Sequence, residues 1–296
     1  MRTLLYSCEV ATVVSKKLRI MTPILAVGLI AVLVVVIAPL ALYPNCNIVA
    51  PYYHRVYSAT SVNGLSWTVN STVIFNHASV PGAVYYYGKV YLYFINAECG
   101  EKLSVAISDN HGNSFAVYDV AISGSNSPRP VDPNPIVDGG LIRLTYVGNL
   151  GGNPANIVTS HSFDGINFVE DAILFSEANI TDPDLFQYSP GEWILFVDLG
   201  STLLKANGTS ISMPLVRDTT FSFGGILCST HYINGKLHTY YLGSKGISVA
   251  EYNSSGLTVL AEDLITGFTG FIGDPTVVVF GPDNYLMYFK QTDIPP

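Results

Sequence analysis

The sequence predicts an all-β protein, a five-bladed β-propeller preceded by a single N-terminal transmembrane helix. Charged residues make up only 12% of the 296-residue chain, while 26 Gly and 19 Tyr are present. This composition favours many strands and turns over helices. One long apolar run lies near the N-terminus, and a strand–turn–strand unit recurs after it. These three observations predict the fold.

The apolar run at 21–43 contains no charged residue, and as a helix it is long enough to cross a bilayer. Lys16, Lys17 and Arg19 precede it, and no comparable basic cluster follows. The positive-inside rule then keeps residues 1–20 in the cytoplasm and exports residues 44–296. A cleaved signal peptide is the alternative interpretation of the same run.

Two further features agree with export. Four Asn-X-Ser/Thr sequons are candidate glycosylation sites: Asn70, Asn179, Asn207 and Asn253. Three cysteines, Cys46, Cys99 and Cys228, fall on the exported side. They allow one disulfide and leave one cysteine over, and the sequence does not choose the pair.

The recurring unit is an apolar strand, a short turn and an aromatic strand. Its turn glycines are 44 to 52 residues apart: Gly88, Gly139, Gly191, Gly235 and Gly281. A polar turn such as "SFDGINF" at 162–168 recurs once for each of these hairpins. Asn-Gly and Asp-Gly pairs are strong signals of a hairpin turn. Five units of ~48 residues, each with room for four short strands, predict a propeller of five blades.

The order of the two elements predicts how the ring closes. The first polar turn, at Asn63-Gly64, comes before the first hairpin, and the last hairpin has no polar turn after it. Residues 52–75 are therefore expected to add outer strands to the blade that begins within 271–292. Such a closure removes the open edges of the ring.

Three predicted blades open on an Asp-Pro pair, at Asp132, Asp182 and Asp274. The first strand of each blade lines the central channel, so these carboxylates are expected at one mouth. The repeat puts Val80-Pro81 at the same place in the first blade and roughly Gly225-Ile226 in the fourth. Carboxylates that converge on a partly apolar pocket acquire different pKa values, which acid–base chemistry requires. The alternative is that Asp-Pro only starts a strand.

The stretch "ITDPDLFQYSPGEWILFVDLG" at 180–200 resembles the Asp-Pro strand–turn–strand of five-bladed arabinanases and β-xylosidases, glycoside hydrolase family 43. "RPVDPNPIVDGGLIRLTYVG" at 129–148 is similar, and the polar turns resemble the structural Asp-box of sialidases. The resemblance implies that Asp132 is the general base and that Asp182 orients the acid and tunes its pKa. It also implies a Glu as general acid near 221–229, where the sequence has none. Asp274, Glu98 and Glu177 are the substitutes that the chain offers.

This incomplete set predicts an exported, membrane-anchored propeller that binds carbohydrate at Asp132 and Asp182 and hydrolyses it weakly or not at all. Asp274 is the third candidate catalytic carboxylate. Two alternatives stay open: an active inverting glycoside hydrolase, and a non-catalytic scaffold. The expected partner is thus a glycan or a component of the cell envelope. No cofactor or metal motif is present, and a net charge of −8 argues against a nucleic-acid partner.

The topology is testable in intact cells. Protease added from outside is expected to remove the propeller, because only residues 1–20 should lie in the cytoplasm. Digestion would be followed by immunoblotting of both chain ends. A protected propeller with an accessible N-terminus would contradict this orientation.

Overall fold

The computed structural model describes residues 48–125, 127, 129–221 and 225–292. The predicted cytoplasmic segment 1–20 and the predicted transmembrane segment 21–43 lie outside these residues. Among the residues described, no helix is both long and apolar enough to cross a membrane. Their first element is a short 3₁₀ helix, Ala50–Tyr53, and strands β1 to β21 follow it.

The strands form five sheets, which are the blades of a propeller. The first two strands are β1 (His54–Ser61) and β2 (Thr68–Asn76). Blade 1 contains β3 (Ala78–Tyr86), β4 (Lys89–Asn96), β5 (Lys102–Ser108) and β6 (Ala116–Asp119). Blade 2 contains β7 (Ala121–Ser123), β8 (Val131–Asp138), β9 (Leu141–Val147), β10 (Ala155–Ser162) and β11 (Asn167–Glu177). Blade 3 contains β12 (Ile180–Ser189), β13 (Glu192–Leu199), β14 (Thr202–Gly208) and β15 (Val216–Phe221). Blade 4 contains β16 (Ile226–Ile233), β17 (Lys236–Leu242), β18 (Ile247–Asn253) and β19 (Gly256–Ile265). Blade 5 contains β20 (Phe271–Gly281) and β21 (Asn284–Thr292), together with β1 and β2.

The predicted all-β propeller of five blades is confirmed. In blade 5 the strand order is β2-β1-β21-β20, so strands from both ends of the described chain share one sheet. β1 lies antiparallel to β21, with His54 opposite Thr292 and Ser61 opposite Tyr285. This pairing closes the ring.

Tight turns join the first two strands of each blade. In blades 1, 2 and 4 both central turn residues have positive φ: Tyr87-Gly88, Gly139-Gly140 and Asn234-Gly235. This is the type I′ pattern, whose twist matches the right-handed twist of the flanking strands. Gly and Asn tolerate positive φ at little cost, which explains their recurrence at these positions.

Tyrosines on second strands tie neighbouring blades together. The hydroxyl of Tyr93 on β4 donates to the carbonyl of Gly165, and the hydroxyl of Tyr240 on β17 donates to that of Gly64, both at 2.9 Å. Each glycine belongs to a polar turn of the next blade. A third polar turn, in blade 1, packs against Tyr288 of blade 5. The polar turns are therefore structural anchors between blades.

Gly165 and Gly191 form a matched pair for testing these anchors, since both have positive φ, 76° and 77°. A Cβ on Gly165 would lie 2.5 Å from Cε1 of Tyr91, whereas a Cβ on Gly191 meets nothing within 4 Å. Gly191→Ala is expected to lower the free energy of unfolding by ~1–2 kcal/mol through backbone strain alone. Gly165→Ala should cost ~1–3 kcal/mol more, because the Tyr91 ring has to move. Urea unfolding measures both, and equal costs would contradict the anchoring role.

Candidate functional site

Every blade carries a β-bulge at the same place in its inner strand. The ladder between first and second strands skips two residues in each blade: 80–81, 132–133, 182–183, 227–228 and 274–275. The first residue of each pair has φ between 47° and 55°: Val80, Asp132, Asp182, Leu227 and Asp274. Such a conformation costs roughly 1–2 kcal/mol for a residue with a Cβ. The bulge lifts these five side chains out of the ladder.

The five bulge residues and the residues after them line one pocket at an end of the channel, here called the acidic mouth. The structure thus brings Asp132, Asp182 and Asp274 together, although Asp274 lies two blades away from both others. The pocket leaves about 40 Å³ for the centres of water molecules, which is room for about three waters. Its size suits a hydroxyl group at a ligand's end rather than a whole ring.

The expected position of the fourth opening, Gly225-Ile226, is wrong by two residues. The bulge of blade 4 lies at Leu227 and Cys228. No Asp-Pro pair marks this bulge, and an apolar run does not reveal which of its residues leaves the ladder. The aliphatic Leu227 therefore occupies the opening where the family resemblance requires an acidic residue.

The two glutamates considered as substitutes do not line the acidic mouth. Glu177 accepts a hydrogen bond of 2.7 Å from the guanidinium of Arg217, and Glu98 follows β4 in a connecting segment. Within the described residues, the carboxylates that line the mouth belong to the three bulge aspartates.

Asp274 carries its own counterion. The ammonium of Lys290, on the neighbouring strand β21, contacts Oδ2 of Asp274, and both residues are buried. Burial acts to lower the pKa of Lys290, but the carboxylate of Asp274 outweighs it and raises that pKa. Lys290 therefore stays protonated and offsets one negative charge at the mouth.

Asp132 and Asp182 are neighbours whose pKa values differ from those of free carboxyls. The backbone N–H of Asp182 donates to Oδ2 of Asp132 at 3.4 Å. Burial, and then the charge of Asp274, raises the pKa of Asp132 to about 6, against the opposing effects of the Asp182 N–H and Lys290. Burial, and then the charges of Asp132 and Asp274, raises the pKa of Asp182 well above its usual range. Both carboxyls therefore hold their protons to a higher pH than a free aspartate does.

Two further aspartates, which sequence reasoning missed, hold the bulges in place. Asp184 accepts hydrogen bonds from the backbone and hydroxyl of Thr230, at 3.0 and 2.6 Å. Burial raises its pKa to about 6 although the bonds from Thr230 oppose the shift. Oδ2 of Asp198 accepts the N–H of Leu227 at 2.8 Å. Burial raises the pKa of Asp198 to about 8 against the effect of that N–H.

A signal for Lys290 and Asp198 was present in the sequence. Each is the single charged residue in an otherwise apolar stretch, "YLMYFKQ" at 285–291 and "WILFVDL" at 193–199. A charged group in a strand that is buried on both sides is expected to have a specific partner. Within the described residues, no group of three or more His, Cys, Asp or Glu side chains is arranged to hold a metal ion.

Solved glycoside hydrolases share this fold. The GH43_1 enzyme from Xanthomonas citri, solved with xylose, is 17% identical over 67% of this chain and 79% of its own, with a TM-score of 0.50. The catalytic domain of the GH62 α-L-arabinofuranosidase from Coprinopsis cinerea is 13% identical over 80% of this chain and 98% of its own, with a TM-score of 0.53. A family 117 glycoside hydrolase from the marine bacterium Zobellia galactanivorans is 10% identical over 83% and 92%, with a TM-score of 0.53.

No protein-family model and no curated protein matches the chain significantly. At identities of 10 to 17% the structural likeness is a likeness of fold. The resemblance to the propeller of family 43 glycosidases is confirmed at that level. The catalytic roles of Asp132, Asp182 and Asp274 stay predictions.

The raised pKa of Asp198 predicts how its substitution affects stability as pH changes. A carboxyl whose folded pKa is raised contributes stability below the unfolded value, near 4, and loses it as pH rises through the folded value, here about 8. Asp198→Asn mimics the protonated form, so its melting temperature should rise relative to the parent as the pH increases from about 4 to about 8 and then level off. Each kcal/mol gained corresponds to about 2–4 °C in a domain of this size.

The difference between variant and parent cancels the contributions of titrating groups that do not interact with Asp198. Asp109→Asn is the matched control, because Asp109 is exposed in a polar turn of blade 1. Its melting temperature relative to the parent should not depend on pH. A flat difference for Asp198→Asn as well would contradict the buried, proton-binding state of this carboxyl.

Proposed function

We propose that the protein is an exported, membrane-anchored propeller that binds carbohydrate at the acidic mouth and hydrolyses it weakly or not at all. The gathering of Asp132, Asp182 and Asp274 in one pocket carries the proposal. Solved propellers of the same fold include a family 43 enzyme with xylose and an arabinofuranosidase. They support sugar as the class of ligand.

Carboxyl groups with raised pKa values suit sugar hydroxyls, which donate and accept hydrogen bonds. An ionised carboxyl is an acceptor, and a protonated one is a donor that keeps some acceptor capacity. Hydrogen bonds to an ionised carboxylate are about twice as strong as those between neutral groups. The small pocket admits the hydroxyl-bearing end of a glycan, while the rest of the chain would lie over the surrounding blade openings.

Weak hydrolysis is expected from the residues that would surround the bound end of the glycan. Cleavage by two carboxylates needs one that protonates the leaving oxygen and one that activates water or attacks. Leu227 occupies the opening from which the family's acid would reach the substrate, and Lys290 engages Asp274. Losing a positioned general acid lowers the rate by about 10²–10⁴-fold.

An active inverting hydrolase is the second candidate, and the chemistry of Asp132 and Asp182 favours it. A protonated carboxyl beside an ionised one is the pair that such an enzyme uses. In that case Asp182 would be the acid and Asp132 the base. A non-catalytic scaffold that contacts an envelope protein is the third candidate, and it is the outcome if no glycan binds.

Export is supported by the cysteines and by the location of the sequons. Cys99 is disulfide-bonded, and Cys228 is the free, buried cysteine of the described residues. Structural disulfides are typical of proteins outside the cytoplasm. Asn70 and Asn179 are exposed, whereas Asn207 and Asn253 are partly buried. We therefore favour Asn70 and Asn179 as glycosylated positions and residues 21–43 as the anchor.

A glycan array on the full chain in detergent tests binding. The parent is expected to bind a subset of glycans, and Asp132→Leu or Asp182→Leu should weaken that binding by about 10-fold or more, since each removes a carboxyl group that donates to or accepts from the sugar. Asp109→Leu, the same change at an exposed position, should bind like the parent. Equal binding by all four proteins, or by none, would contradict the assignment of the acidic mouth.

Leu227→Glu tests why hydrolysis is weak. A carboxyl at the fourth opening should restore a proton donor and raise hydrolysis of arabino- or xylo-oligosaccharides by about 10²-fold. Leu227→Gln has nearly the same shape without an acid and should not. Robust cleavage by the parent would overturn the weak-hydrolysis proposal in favour of the active hydrolase.

A further inference from the structure

The opposite end of the central channel contains a second, larger cavity, here called the aromatic cavity. All five inner strands line it, and its volume is about 460 Å³, against about 40 Å³ at the acidic mouth. Sites for small organic ligands range from about 300 to 1,000 Å³. The cavity is therefore large enough for such a ligand.

The walls of the aromatic cavity are mostly apolar and contain several aromatic rings. They include Tyr85, Phe186, Trp193 and Tyr232, and no charged side chain is among the residues that line it. Val137 at the rim is 45% exposed and Tyr232 is 50% exposed, so the cavity opens to solvent. Uncharged ring compounds gain most from such walls, through burial of apolar area and through stacking.

His231 is one of the polar residues that line the cavity, together with Asn134, Gln187 and Thr230. Its Nε2 accepts the backbone N–H of Val277 at 3.1 Å and lies 2.7 Å from the hydroxyl of Ser229. A neutral imidazole that accepts at Nε2 carries its proton on Nδ1, and no partner of Nδ1 is found among the described residues. Burial lowers the pKa of His231 to about 4, so the ring stays neutral at physiological pH. His231 therefore offers one uncharged N–H donor in the wall.

We propose that the aromatic cavity is a second ligand site, which binds an uncharged ring compound bearing one hydrogen-bond acceptor such as a carbonyl. The rings pack against the ligand, and the Nδ1–H of His231 donates to its acceptor. The absence of charged groups among the lining residues disfavours ionic ligands, because a charge moved into such a cavity loses hydration without compensation. The site is separate from the acidic mouth and does not rest on the function proposed for it.

The uncharged fluorophore 6-propionyl-2-(dimethylamino)naphthalene has two fused rings and one ketone, and its emission shifts to the blue in apolar surroundings. The full chain in detergent is expected to bind this dye saturably. The dye is excited in its own absorption band, and its emission is corrected for the emission in detergent without protein. Val137→Trp should weaken this binding at least 10-fold by filling the rim. Val117→Trp is the matched control, since Val117 is 47% exposed on β6 of blade 1 and does not line the cavity.

Two comparisons make the test specific. The same naphthalene without the ketone should bind about 2- to 10-fold more weakly, which is the size of one neutral hydrogen bond, and equal affinity would overturn the role of His231. Asp182→Asn should leave dye binding unchanged, which separates this site from the acidic mouth. No saturable shift with the parent, or equal binding by Val137→Trp and Val117→Trp, would overturn the proposal.

Discussion

At four of the five junctions between inner strands, a hydrogen bond from a backbone N–H to a side chain joins neighbouring strands, and the geometry of the channel depends on these bonds. In three cases the acceptor lies two positions after the first bulge residue, and in blade 4 it is His231, four positions after Leu227. Each donor N–H lies three positions after the first bulge residue of the following blade. The four bonds are Leu185 to Asn134 (2.9 Å), Thr230 to Asp184 (3.0 Å), Val277 to His231 (3.1 Å) and Ala83 to Thr276 (3.0 Å). Between blades 1 and 2 neither partner exists, because Gly82 has no side chain and Pro135 has no N–H. A Cβ on Gly82 would overlap the carbonyl oxygen of Pro133, so the two backbones meet directly and no buried donor is left over.

These four hydrogen bonds, here called the belt, fix the distance between the inner strands that they join. They therefore determine which side chains the bulges bring together. The inner strands are held together just beyond the bulges, by these bonds at four junctions and by direct backbone contact between blades 1 and 2. The five side chains at the bulges therefore converge on a pocket that admits a few waters. Three carboxylates in that space cannot all ionise freely, and Lys290 compensates only one of them. Strained backbone at functional positions persists only where the surroundings enforce it. Here the belt on one side and the blade ladders on the other enforce five positive φ angles.

The sequence was sufficient to predict the five blades and the meeting of Asp132, Asp182 and Asp274, because turn residues and Asp-Pro pairs repeat with the blades. The sequence did not predict that Leu227 is the bulge residue of blade 4. The position of a bulge depends on the pairing register of the strands, and hydrophobicity does not encode that register where no Asp-Pro pair is present. Asp198 and Lys290 lie on the second strands of their blades, and the orientation of their side chains towards the mouth also depends on the pairing register. The belt was visible in part, as the polar residues Asn134, Asp184, Ser229 and Thr276 that follow the bulges at a fixed offset.

The central claim is that burial, together with the crowding of carboxyl groups at the acidic mouth, raises the pKa of Asp182 well above its usual range. It is tested most directly by ¹³C NMR titration of the aspartate side-chain carboxyls, with the Asp182 signal assigned from its loss in Asp182→Asn. The account predicts that the pKa of Asp182 lies well above the ordinary value and falls when Asp132, its nearest like charge, is changed to Asn. An Asp182 carboxyl that titrates near pH 4, like a free aspartate, would contradict it.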